Sequence, residues 1–250
     1  MVSARAHLHD IRRAELACVA PLLPDGRLRV LEIGGGDGFL AAELHRRYGW
    51  IAAVDVPDFA RSTPSLYPVV KFDGLRLPFA DETFDLVFTS HVLEHVSDLP
   101  RLQAEIRRIM TGRGCAVHVL PSATWRLWTI ATHYATLPRR ILRRLKRGAT
   151  SDRAGQRRPT LRERVLAAAI DHRHGARGAT VSELWLYSRF AWCRLFQRTG
   201  FQVRAVRSLG LYYTGYSLLG ARLSMGRRQR LAGLLGSASV AYLLAPDPES

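Results

Sequence analysis

Three glycines at alternate positions, Gly34, Gly36 and Gly38, follow Val30-Leu31-Glu32-Ile33 and run straight into Phe39-Leu40. Glycine lets a backbone turn through left-handed conformations and approach a ligand closely, and the amides of a following helix start then face that ligand. Dinucleotides and other nucleoside cofactors both use such a strand–turn–helix element. Glu32 narrows the choice, because a carboxylate ahead of the first glycine repels a pyrophosphate and suits a cationic group. Asp55 ends the next strand, about twenty residues on, where a carboxylate serves the ribose hydroxyls of an adenosine cofactor. Such charge-assisted bonds contribute on the order of 1.5–3 kcal/mol each.

A second cluster follows. His91, Glu94 and His95 place three ionisable groups in five residues at the end of a strand. One reading makes His91 or His95 a general base for an acceptor hydroxyl. A second makes the cluster a set of metal ligands. A third makes Glu94-His95 a helix-starting element bonded to its own backbone. No resident metal is expected, and chelators should leave activity intact. The thiols Cys18, Cys115 and Cys193 are widely spaced and odd in number, which gives neither a disulfide framework nor a zinc pattern. A reducing, cytoplasmic setting is expected.

The elements that must position these groups alternate. Strands are predicted at Arg29–Ile33, Trp50–Val54, Val69–Phe72, Phe84–Ser90 and Cys115–Leu120, with helices at Phe39–Tyr48 and Leu99–Met110. Thr111-Gly112-Arg113-Gly114 is read as the turn into the fifth strand. An N-terminal helix is predicted over 7–20, ended by Pro21 and Pro24. Strands alternating with helices make a parallel sheet covered on both faces, with ligands at the carboxyl ends of the strands. Further on, Glu183–Arg198 reads as a helix, Phe201–Val206 as a strand and Ala238–Leu244 as a last strand. Between these two strands, 209–236 is an apolar stretch followed by basic residues.

These residues resemble class I S-adenosylmethionine-dependent methyltransferases, and most closely the type 11 methyltransferase group. The likeness is carried by Val30–Gly38, by Phe72-Asp73-Gly74 with Leu77-Pro78-Phe79, by Phe84–Phe88, by Val92-Leu93-Glu94-His95-Val96 and by the Glu105–Gly114 segment. It covers residues 28–121, the cofactor-binding half. It implies an α/β, Rossmann-like, seven-stranded, mostly parallel sheet with S-adenosyl-L-methionine as cofactor. Asp55 would then meet the ribose, Asp73 the adenine amino group and Gly74 the adenine through its backbone. Ser90 and His91 would lie beside the methionine part. The likeness stops after Pro121 and does not reach the acceptor site. The [Asn/Asp]-Pro-Pro-aromatic motif of many amino-group methyltransferases does not follow the fourth strand, which tilts the acceptor towards oxygen or carbon.

The 250 residues are expected to form one methyltransferase domain, 1–250, with a net charge of +16 and a pI near 11.0. Much of the excess charge lies in 122–182, a basic insertion or cap with fourteen Arg or Lys against three acids. Residues 183–250 should complete the sheet, with 209–236 as an insertion in it. Within the cap, Trp125, Trp128, Ile130, Tyr134 and Leu137 offer an apolar face. Arg126, Arg139, Arg140, Arg143 and Arg144 lie among them, and 147–160 reads as a mobile loop. Such a stripe suits an anionic membrane, a phosphate-bearing substrate or nucleic acid. A lid helix packed on the core is the plainer alternative. No signal peptide or membrane crossing is expected. The expected activity is methyl transfer to a small-molecule, lipid-linked or envelope-glycan acceptor, with peripheral contact at the inner membrane face. An RNA methyltransferase and an inactive S-adenosylmethionine-binding protein are the rivals.

Overall fold

The computed structural model describes residues 4–57, 65–147, 160, 163, 173–215 and 222–248. Its sheet has seven strands: β1 (Val30–Ile33), β2 (Ile51–Asp55), β3 (Val70–Lys71), β4 (Phe84–Ser90), β5 (Met110–Pro121), β6 (Phe201–Ser208) and β7 (Ser239–Pro246). They lie in the order β3-β2-β1-β4-β5-β7-β6. The first five are parallel, while β7 runs antiparallel to both β5 and β6. Strand β1 is buried along its whole length, as a strand covered on both faces must be, and it carries Glu32 into that interior beside Val30, Leu31 and Ile33. The strand order reverses between β1 and β4, and that is where an open α/β sheet forms its cleft.

The helices are α1 (Ala4–Val19), α2 (Phe39–Tyr48), α3 (Leu99–Ile109), α4 (Ala123–Arg147), α5 (Ser182–Leu186), α6 (Arg189–Arg198) and α7 (Met225–Leu235). One apolar layer joins Phe39, Leu40 and Leu44 of α2 to Val19 and Leu23 on one side of the sheet. The other joins Leu102, Ile106 and Ile109 of α3 to Trp192, Phe196 and Tyr242.

Three expectations need correction. Residues 111–114 are not a turn ahead of β5 but a bulge within it. Phe84 pairs with Met110 and Leu86 with Cys115, so the intervening residues loop out while both ends stay in the ladder. The helix expected over 183–198 is two helices, because buried Tyr187 ends α5 and the Ser188 hydroxyl caps α6 by accepting from the Ala191 amide at 3.2 Å. The stretch 209–236, read only as an insertion of apolar and then basic residues, contains α7.

The basic segment is corrected too. Trp125 is buried, and the Trp128 indole donates to the Leu235 carbonyl at 2.9 Å, so neither belongs to a surface stripe. Arg126 is 1% exposed, with its Nε 2.8 Å from the fully buried Glu183 carboxylate. Leu127, Tyr134 and Leu142 do remain exposed. The loop expected at 147–160 lies outside the described residues apart from its two ends, as do the side chains of Arg140, Arg143 and Arg144. No helix among the described residues is long and apolar enough to cross a membrane.

Removing one partner of a buried ion pair strands the other charge, at a cost of about 3–5 kcal/mol. Arg126→Met is therefore expected to lower the melting temperature by on the order of 10 °C. The double variant with Glu183→Gln should recover much of that loss. A single variant that melts like the parent would show that the pair is not shielded from solvent.

Candidate active site

A cavity of about 480 Å³ opens at the carboxyl ends of β1, β2 and β4. It brings together Glu32, Gly34, Gly36, Asp55, Asp73, Gly74, Ser90, His91 and His95 from the sequence-predicted set. Gly38 is the exception. It caps α2 at φ 76°, and a Cβ there would lie 2.5 Å from the Tyr67 amide nitrogen, so its task is to seat the turn against residues 65–67. Gly34, at φ 82°, has the same kind of close neighbour, since a Cβ would meet Val92 at 2.1 Å. Around Gly36 there is open space.

Two carboxylates form the acidic floor. Asp55 accepts from the Gly36 amide at 2.7 Å and from the Val56 amide at 2.7 Å, which ties the end of β2 to the glycine turn. Glu32 is 1% exposed, and its Oε2 has no hydrogen-bond partner among the described residues. Burial and then the nearby charge of Asp55 push the Glu32 pKa up to about 8, against the smaller opposing pull of the Ala41 amide. An orphaned carboxylate in a glycine-lined cavity fits a cationic nucleoside. Asp73 uses Oδ1 to accept the amides of Leu75 and Arg76 at 2.7 and 2.9 Å.

The sequence reading missed the roof, which is α1. Leu8, His9 and Arg12 line the cavity, and Arg5 and His9 bond the Asp37 carboxylate of the glycine turn at 2.9 and 2.8 Å. The signal was present: Arg5, His9 and Arg12 are four and three residues apart, which is one helix face. His9 also stacks on Phe39, with ring centroids 4.1 Å apart.

Beyond Arg12 lies Glu15, buried at 2% exposure. Its carboxylate takes the Arg12 guanidinium at 2.6 Å, the Tyr213 and Ser239 hydroxyls at 2.6 Å each, and His91 Nε2 at 3.4 Å. Burial works against ionisation there, but Arg12 and then His91 hold the carboxyl well below its usual range.

His91 itself has φ 55°, a left-handed conformation that costs a non-glycine residue on the order of 1–3 kcal/mol. That backbone places the ring between two buried carboxylates, with Nε2 facing Glu15 and Nδ1 3.6 Å from Glu94. Burial and Arg12 oppose protonation of the ring, yet the two carboxylates raise its pKa. His95, less enclosed, sits with its Nε2 3.9 Å from Glu94.

A seven-stranded sheet in which β7 alone runs antiparallel, a glycine turn after β1 and an acid ending β2 defines the class I S-adenosylmethionine-dependent methyltransferases. A family model for the methyltransferase domain matches residues 6–206, and the chain belongs to that family. The class's methyl donor, S-adenosylmethionine, is the cofactor that this cavity fits.

Among curated relatives, the chain is similar to a demethylmenaquinone methyltransferase of Mycolicibacterium paratuberculosis. The two are 32% identical over 126 residues, which covers 50% of this chain and 54% of that protein. It is also similar to a malonyl-[acyl-carrier protein] O-methyltransferase of Legionella pneumophila, 31% identical over 121 residues and 43% of each chain. The chain thus spans about half or less of the length of these relatives. Among solved structures, a Mesorhizobium loti S-adenosylmethionine-dependent methyltransferase shares the fold. Its TM-score is 0.54 at 16% identity, covering 92% of this chain and 97% of that one.

Glu32 sets a pH dependence. The empty fold keeps the Glu32 proton that an unfolded chain releases in the ordinary carboxylate range, so its stability should fall as pH rises from that range towards about 8. A cationic cofactor requires the ionised carboxylate, and binding at neutral pH should therefore expel a proton. Calorimetry with S-adenosylmethionine in two buffers of different ionisation enthalpy reads that proton directly. The release should vanish in Glu32→Gln, and heats that are the same in both buffers would refute the assignment. Asp55→Ala is expected to weaken the same ligand at least tenfold, equivalent to ~1.4 kcal/mol.

Proposed function

We propose that the chain transfers a methyl group from S-adenosylmethionine to an oxygen of a small or lipid-linked acceptor. The observation that carries this reading is the buried Glu32 carboxylate, whose Oε2 has no hydrogen-bond partner among the described residues, in a glycine-lined cavity that Ser90 and His91 also line. When bound, the cofactor supplies an electrophilic methyl group on a sulfonium. Glu32 would balance its positive charge, Asp55 would receive the ribose hydroxyls, and Asp73 with Gly74 would meet the adenine.

The remaining work is positional. Holding two reactants in line can supply roughly 7–11 kcal/mol of a barrier. His91, fixed by contacts on both ring nitrogens, is suited to orienting the acceptor rather than drifting with it. His95 borders the same space and completes the wall on that side. Oxygen is favoured because Ser90-His91-Val92-Leu93 stands where amino-group enzymes carry an Asn/Asp-Pro-Pro-aromatic sequence. The names of the two relatives, one an O-methyltransferase of a carrier-bound acid and one a methyltransferase of demethylmenaquinone, support a small or lipid-linked acceptor. The exposed Leu127, Tyr134 and Leu142 of α4, in a segment of net charge +11, favour meeting such an acceptor at an anionic membrane face.

Incubating cell extract with heavy-methyl cofactor and surveying small metabolites, lipids and RNA by mass spectrometry should place the label on an oxygen of a small molecule or lipid. Label confined to RNA would overturn the reading. No labelled acceptor together with no S-adenosylhomocysteine formed would leave a binding protein. His91→Ala should lower turnover with the identified acceptor at least tenfold while changing cofactor affinity little. Unchanged turnover would reduce His91 to a packing residue.

A further inference from the structure

The buried carboxylate of Glu94 is not explained by cofactor binding. It is 1% exposed, and neither of its oxygens has a hydrogen-bond partner among the described residues, its ion-pair neighbours His91 Nδ1 and His95 Nε2 standing off at 3.6 and 3.9 Å. Burying a charged group without close hydrogen bonds is costly, and buried carboxylates are normally bonded or bound to a cation. Around it the structure gathers imidazoles. His95 is its sequence neighbour, and His174 arrives from the far side of the basic segment. One donor atom from each of Glu94, His95 and His174 lies within 4.8 Å of the others.

His174 is brought there by dedicated contacts. The Glu183 carboxylate accepts the amides of His174 and Gly175 at 2.7 Å each, and Glu183 is itself fixed by Arg126. The Ala176 amide donates to the Glu94 carbonyl at 2.8 Å. At Gly175 a Cβ would lie 2.6 Å from that carbonyl oxygen and 2.7 Å from the Tyr187 hydroxyl, so only glycine lets the segment settle this closely. The ring of Trp125 meets His174 edge-on at 4.6 Å.

We propose that Glu94, His95 and His174 form a binding site for one divalent transition-metal cation of the zinc type. Two imidazoles and a carboxylate are the ligand chemistry that such ions select, and three protein ligands leave a coordination position for water or substrate. The cation supplies the close partner that the Glu94 oxygens lack among the described residues. Because His95 also lines the cavity, the open position borders the space where an acceptor oxygen would lie. That last placement rests on the methyl-transfer reading, whereas the site itself does not. The expectation of no metal weighed His91, Glu94 and His95 along the sequence. In the fold His91 is occupied between Glu15 and Glu94, and His174 supplies the third donor.

The test reads metal binding without turnover. Metal-stripped, tag-free protein is titrated with zinc against a chelating indicator, with cobalt as a spectroscopic stand-in. One equivalent should bind, with a ligand-field spectrum of nitrogen–oxygen coordination. His174→Ala and Glu94→Gln should each weaken binding at least tenfold, while His45→Ala leaves it unchanged. S-adenosylhomocysteine binding by His174→Ala shows that this variant is folded, should Glu94→Gln prove unstable. Absence of stoichiometric binding, or binding that persists in His174→Ala, would overturn the site. A failed search for a methyl acceptor would leave both outcomes readable.

Discussion

The carboxylate of Glu15 holds the upper half of the molecule together. It sits in α1, yet its partners come from the end of β4, the segment after β6 and the start of β7. A buried charge with a guanidinium, two hydroxyls and an imidazole around it is satisfied, and its removal would leave Arg12 facing His91 with Glu94 as the nearer remaining acid. The position of α1 over the cavity follows from this, and so does the fixed orientation of His91. The wall that bears His91 is thereby tied to a helix that precedes the sheet.

The cavity is electrostatically divided. Its floor, Glu32 and Asp55, is acidic, and its roof and far wall carry Arg12, His9, His91 and His95. A cofactor that is cationic at one point and polar at its ribose is accommodated on the floor. The roof is tethered by Asp37, whose carboxylate answers Arg5 and His9 and so keeps the glycine turn and α1 in register. The net charge of +16 therefore coexists with an acidic pocket, and net charge alone would have suggested the wrong ligand.

The sequence was legible wherever local pattern decides. Helix α2 and strand β4 occupy the predicted residues, because Phe39–Tyr48 follows a glycine turn and Phe84–Ser90 is a compact apolar run. The floor of the site was legible too, since Glu32 and Asp55 are placed by strand ends. What escaped were contacts made across the fold. Glu15 reads as an ordinary helix acid, and nothing near it in sequence announces Tyr213 or Ser239. Glu183 resembles a first-turn acid of one long helix, yet it caps the amides at His174 and pairs with Arg126. The bulge at 111–114 was missed because Thr-Gly-Arg-Gly has turn composition, while the ladder on both sides overrides it.

Strand order has a consequence for synthesis. Strand β6 has a single neighbour in the sheet, β7, and β7 lies between it and β5. As the chain leaves the ribosome, residues 201–208 therefore have no ladder to join until 239–246 have emerged. Residues are added at roughly 5–20 per second, so this edge stays unpaired for seconds. Glu15 waits far longer for the Ser239 hydroxyl, which lies 224 positions away. The nucleoside half can assemble early, but the N-terminal helix and the wall bearing His91 are completed only by the last strand. During that interval the nascent chain exposes an unpaired strand and an acid still lacking its Tyr213 and Ser239 partners, which is the state a chaperone would have to shield.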